Sequence, residues 1–171
     1  MSNDKESLFT KNEIAAIYKI VREHQENIPK TEEEIHEDYY DNYEELVGKK
    51  VLQNILKKLS RGLPAKEKEE IDKYFLRQKY HSFSNGVDEI VYRIIEKAFN
   101  QLNTIEIKYF NMENAEFSKR KLDVYYKSRK YTIGYCHLRK SIRKFRTHRI
   151  ASAKLTSESY KIPEDFDNKA Y

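Results

Sequence analysis

The sequence predicts an α+β chain. A helical N-terminal segment leads into one further helix and then a small, strongly bent five-stranded antiparallel sheet or β-barrel. Three observations predict this. The apolar residues repeat at the 3.6-residue period as far as Leu102, and the period switches to two from Thr104 onward. The stretch after Thr104 is cut into short β-patterned runs by polar turn residues. Ser82-Phe83-Ser84-Asn85-Gly86 has the composition of a linker, which places a boundary between a helical region at 1–82 and a second domain at 83–171.

Residues 8–26 carry Leu8, Ile14, Ile17, Tyr18 and Val21 on one helical face. Thr10 with Glu13 forms a Thr-x-x-Glu capping box that starts this helix, and Pro29 ends the segment. Residues 32–45 hold eight acidic residues and no Lys or Arg, with Tyr39, Tyr40 and Tyr43 among them. That pattern suits a tyrosine-faced helix or an acidic loop, and it could also mimic nucleic acid and cover a basic surface. Residues 47–61 form a second helical pattern through Val51, Leu52, Ile55, Leu56 and Leu59, broken by Gly62 and Pro64. Residues 65–80 form a third, with Ile71, Tyr74, Phe75 and Tyr80. The fourth runs from Val87 to about Leu102 through Ile90, Val91, Ile94, Ile95, Ala98 and Phe99. Asp88 and Glu89 sit in its first turn, where the helix dipole favours negative charge.

The strands are read from alternation. In 104–110, Ile105, Ile107 and Tyr109 point one way and Glu106 and Lys108 the other. A polar turn at 111–116 leads to a second strand at 117–126 and a third at 129–137. A fourth is expected at 142–149 and a fifth at 152–157. Within the third, Tyr131, Ile133 and Tyr135 share a face, and Ile133 argues that this face is buried. Either the tyrosines are core or a bulge turns one outward. Arg143, Phe145 and Arg149 share a face if the fourth strand is regular.

Net charge is +5, but the asymmetry matters more. Residues 1–90 hold 15 Lys/Arg against 19 Asp/Glu, and residues 91–171 hold 18 against 9. Between Phe117 and Arg149 stand 12 cations and one anion, Asp123. Such a half expects an anionic partner. Cys136 is the only cysteine, which excludes an intrachain disulfide and favours a reducing compartment, with Cys136 as a small core residue. The polar N-terminus and the lack of a long apolar run predict neither secretion nor a membrane span, so the cytoplasm is expected. With four glycines there is no phosphate-binding glycine loop, and no Cys/His set has metal-ligand spacing. His137 and His148 flank the basic run without a motif for general acid–base work. A non-enzymatic protein without metal or cofactor is therefore expected.

Several motifs in order resemble the WYL domain, the Sm-like barrel module of bacterial transcriptional regulators. The resemblance covers about Val87 to Tyr171. It rests on the helix, then Ile105-Glu-Ile-Lys-Tyr109, then Arg120-Lys-Leu-Asp-Val124, where Val124 stands for the family's proline. The name triplet falls on Lys130-Tyr131-Thr132, of which only the tyrosine is kept, followed by Ile133-Gly134-Tyr135-Cys136. Ser141-Ile-Arg143-Lys-Phe145-Arg-Thr-His-Arg149-Ile150 is similar to the family's Arg-x-Phe…Arg-Ile signature. The tail Ile162-Pro-Glu-Asp-Phe-Asp167 also fits. The helices before residue 82 are similar to the segment that joins a winged helix-turn-helix to such a barrel, although no winged-helix pattern stands in this sequence.

The resemblance implies a ligand site of arginines and a tyrosine: Arg120, Tyr131, Arg143 and Arg149. Tyr135 adds a ring that can stack a base. Arg139 and Arg146, with Lys130, Lys140 and Lys144, add peripheral charge. Arginine suits phosphate because its planar fork donates two parallel hydrogen bonds. The expected function is a ligand-sensing module that binds single-stranded DNA, RNA or an oligonucleotide signal, in transcriptional regulation or phage defence, and acts as a homodimer through its helical half. The alternative is a protein-interaction module whose basic sheet docks an acidic partner.

Overall fold

The computed structural model describes residues 8–27, 49–81 and 86–171. The expected linker at 82–86, the acidic run at 32–45 and Pro29 lie wholly or almost wholly outside the described residues. The chain folds as two compact units, Met1–Phe75 and Leu76–Tyr171.

In the first unit, α1 (Lys11–Asn27), α2 (Lys49–Leu59) and the first part of α3 (Ala65–His81) enclose Ile14, Ala15, Tyr18, Leu56, Leu63 and Ile71. The capping box forms: the Thr10 amide donates to Glu13 Oε2 at 2.7 Å, and the Glu13 amide donates to Thr10 Oγ1 at 3.3 Å. Leu8 lies before the helix and is exposed, so it does not join the apolar face. Tyr18 buries its ring and donates its hydroxyl to Asp72 at 3.0 Å. Desolvation, with Asp72 beside it, pushes the Tyr18 phenol up to about 12.

The second unit is built on α4 (Glu89–Gln101) and five strands: β1 (Asn103–Asn111), β2 (Glu116–Lys127), β3 (Tyr131–Cys136), β4 (Ser141–Arg146) and β5 (Ile150–Ser159). Asp88 is the N-cap of α4 rather than a first-turn residue, its carboxylate accepting from the Ile90 and Val91 amides at 2.9 and 3.1 Å. Leu102 ends the helix in the left-handed conformation, φ 52°, and the period-two pattern takes over at once.

All neighbouring strands are antiparallel, in the order β4-β3-β2-β1-β5. β4 and β5 therefore lie at opposite edges, and no ladder among the described residues joins them. The expected closed barrel is an open five-stranded sheet, with register shifts at Lys108/Tyr109 and Val124/Tyr126. One face packs on α4, where Val91, Ile95 and Ala98 meet Ile105, Ile107, Leu122, Val124, Cys136, Phe145 and Ile150. Cys136 is fully buried, as its apolar surroundings in sequence implied.

The fourth strand is shorter than expected. It ends at Arg146, and Thr147–Arg149 turn as a 3-10 helix. Thr147 is the reason. It is fully buried, its amide donates to the Lys130 carbonyl at 3.1 Å, and its hydroxyl reaches the Ser128 carbonyl at 2.9 Å and Thr132 Oγ1 at 3.0 Å. These bonds draw the backbone out of the ladder. β5 starts directly afterwards and is longer than expected at both ends.

Candidate anion-binding site

The register sorts the expected site residues, because residues paired across a ladder share a sheet face. Ile107 pairs with Arg120, Gly134 with Arg143, and Thr132 with Phe145, all on the face that packs against α4. Tyr131 pairs with Arg146, Ile133 with Lys144, and Tyr135 with Asp123 and Ile142, all on the opposite face. The expected set is therefore divided between two faces.

On the α4 face, an open cleft of about 460 Å³ is lined by Tyr109, Asn111, Glu113, Arg120, Arg139, Ile142, Arg143, Lys144, Phe145 and Tyr171. Its size falls in the small-ligand range. Tyr109 and Phe145 meet edge to face with ring centres 5.0 Å apart. The Arg120 guanidinium lies 5.7 Å from the Tyr109 ring centre and 5.8 Å from that of Phe145. Arg120 Nε donates to Ser118 Oγ at 3.0 Å, and Nη1 lies 4.0 Å from Cys136 Sγ. These contacts fix the plane of the fork, and Nη2 makes no hydrogen bond among the described residues. Arg143 on β4 and Arg139 in the β3–β4 turn are exposed, and neither forms an ion pair among the described residues. Glu113, from the β1–β2 turn, is the one acidic residue in the lining. Three arginines from β2, β4 and the turn between β3 and β4 thus surround a half-aromatic floor. Such a site can hold an anionic oxygen by several charge-assisted bonds.

On the opposite face Tyr131 is half-buried, and three cations surround its ring: Lys130 at 5.3 Å, Lys144 at 4.9 Å and Arg146 at 5.5 Å from the centre. Ile133 between the two tyrosines is buried, as the alternation indicated. Tyr135 is half-buried and meets His137 edge to face at 5.4 Å. His137 Nε2 lies 2.9 Å from Asp123 Oδ1, the same oxygen that accepts from the Thr104 hydroxyl at 2.6 Å. His137 and the Thr104 hydroxyl thus share one oxygen of buried Asp123, and Tyr135 packs its ring against His137.

Arg149 is placed elsewhere. It leaves β4 in the 3-10 turn, and its Nε donates to the Tyr80 carbonyl at 3.3 Å in the last turn of α3, beside His148 Nε2 on the same oxygen. A cation there complements the helix C-terminus. It does not line the cleft and does not share a face with Arg143, contrary to the regular-strand expectation. Burial, opposed by the bond to Tyr80, holds the His148 imidazole below its usual range.

Sequence reasoning missed Tyr109 and ranked Lys130 and Lys144 as peripheral, while Phe145 is buried in the core. The even spacing of Ile105, Ile107 and Tyr109 placed Tyr109 on the core face, but only the β1–β2 register sets it beside Arg120. Among the described residues no group of three His, Cys, Asp or Glu could hold a metal ion, and no helix is long and apolar enough to cross a membrane.

A family model described as the WYL domain matches residues 91–155. No curated protein matches the chain. Among solved structures, Proteasome accessory factor B/C (PafBC) of Arthrobacter aurescens aligns over 88% of this chain at 16% identity with a TM-score of 0.36. The chain spans 21% of that protein's length.

Proposed function

Residues 91–155 of this chain form a WYL domain, and from that premise we propose that the second unit is a non-enzymatic sensor module whose cleft binds a single-stranded oligonucleotide or oligonucleotide signal. The convergence of Arg120, Arg139 and Arg143 over the Tyr109–Phe145 floor carries this reading. Arginine forks supply phosphate recognition, and the partly exposed Tyr109 ring at the floor suits a base more than it suits an inorganic anion. Duplex DNA fits less well, because its bases are stacked away from such a floor. We place the protein in the cytoplasm, as a homodimer through its helical half, in transcriptional regulation or phage defence.

The test is fluorescence anisotropy with labelled single-stranded DNA, single-stranded RNA and duplex DNA at two salt concentrations, for the wild type and Arg143→Glu. The expected result is preferential binding of one single-stranded form, weakened by salt and lost in the variant. Unchanged affinity in Arg143→Glu refutes the site.

A second reading has its own observation. β4 is an edge strand carrying Arg143, Lys144 and Arg146, so an extended acidic protein segment could add to the sheet there. That reading predicts binding of an acidic peptide with an affinity that Arg120→Gln leaves intact.

A further inference from the structure

We propose that the ligand path crosses the β4 edge, so that the cleft and the cation-ringed face of Tyr131 are two phosphate subsites for one strand carrying at least two phosphates. This rests on the oligonucleotide reading of the cleft and narrows its ligand to a multi-phosphate chain rather than a mononucleotide.

Three observations lead there. First, the cleft reaches the edge of the sheet: Ile142, Arg143, Lys144 and Phe145 of β4 line it, and β4 is an edge strand. Second, Lys144 belongs to both places: it lines the cleft, and its ammonium lies 4.9 Å from the Tyr131 ring centre while donating to the Tyr171 carbonyl. Third, Lys130, Lys144 and Arg146 gather around one ring, and neither Lys130 nor Arg146 forms an ion pair among the described residues. Packing three like charges together is unfavourable, and the electron-rich ring offsets part of it. An anion among them would offset more.

The ring geometry also changes the role assigned to Tyr131. With cation heads already over it, the ring serves as a platform that holds the cations, rather than as a stacking surface for a base. Arg143 and Arg146 are three residues apart on β4, roughly 10 Å along the strand. One phosphate would sit at Arg120, Arg139 and Arg143, beside the half-buried Tyr109 ring. A later phosphate of the same strand would sit at Lys130, Lys144 and Arg146.

The test displaces a labelled oligothymidylate from the full chain with unlabelled thymidine monophosphate and with oligothymidylates of two, four and eight nucleotides. Three proteins are compared: wild type, Arg120→Gln/Arg143→Gln and Lys130→Gln/Arg146→Gln. Melting curves check that each is folded, and Lys144→Gln serves as a second probe of the junction. The expected result is that wild-type affinity rises with length. The Lys130→Gln/Arg146→Gln protein keeps its affinity for the shortest ligands but loses the gain with length. Its log–log salt slope for the longest ligand drops by about 1.4, at roughly 0.7 per charge removed on a single strand. The cleft variant loses affinity at every length. If only the cleft variant is impaired and Lys130→Gln/Arg146→Gln behaves as wild type, the two-subsite path is wrong while the cleft stands. If no length binds, both are wrong.

Discussion

Gly134 offers the sharpest test of the sheet that carries the cleft. A Cβ built on it would lie 1.9 Å from the Asp123 carbonyl oxygen, 2.9 Å from the Asp123 carbonyl carbon and 3.1 Å from Val124 Cα. All three are backbone atoms of the neighbouring strand, so no side-chain rotation relieves the clash. Gly134→Ala must push β2 and β3 apart by about 1.5 Å to restore ordinary contact, in a ladder whose strands lie about 4.8 Å apart. Overpacking of this kind costs about 1–3 kcal/mol, and each ladder bond stretched beyond use adds about 1 kcal/mol. The displaced carbonyl also belongs to Asp123, which anchors Thr104 and His137. A loss of about 3–4 kcal/mol follows. For a unit of about a hundred residues this lowers the melting temperature by more than about 10 °C. Gly86 is the control. Its φ is 72° and nothing lies within 4 Å of its added Cβ, so Gly86→Ala meets only backbone strain of about 1–2 kcal/mol. The assay is thermal unfolding by circular dichroism with urea titration of both variants. A Gly134→Ala melting point within about 3 °C of wild type, or a larger loss in Gly86→Ala, would refute the close approach of β2 and β3.

Three further outcomes follow from the same contacts. Arg149→Gln should lower the melting temperature by a few degrees, through the lost bond to the Tyr80 carbonyl, and leave oligonucleotide affinity within about twofold. A tenfold loss of affinity would return Arg149 to the ligand site. Asp123→Ala should cost about 1–3 kcal/mol in urea unfolding, because it strands the buried Thr104 hydroxyl. Thr104→Val/Asp123→Ala should then lose less than the sum of the single changes. For His148, burial depresses the folded-state imidazole below its unfolded value, so the unfolded chain binds more protons as pH falls. The contribution of His148 to stability is full above the unfolded value near 6.5 and is lost as pH drops through that value towards the folded one. The urea midpoint should fall more steeply between about pH 7 and pH 5.5 in the wild type than in His148→Gln, and parallel curves would contradict the burial of that ring.

The sequence by itself determined the element types, since each depends on local pattern. The capping box at Thr10 and Glu13, the α4 stripe through Val91, Ile95 and Ala98, and the switch to alternation after Leu102 are written in neighbouring residues. The charge bias that points to an anionic partner is likewise a sum over the chain. Pairing is not local. The tertiary structure alone decided that Ile107 faces Arg120 and that Gly134 faces Arg143, and so which arginines meet over Tyr109 and Phe145. A single strand pattern fixes which side chains share its own face, as it did for Tyr131, Ile133 and Tyr135. It cannot fix which residue of the next strand lies opposite. The same limit explains Arg149. Its run reads as continuous strand, and three hydrogen bonds to Ser128, Lys130 and Thr132, distant in sequence, hold Thr147 and turn the backbone away at Arg146.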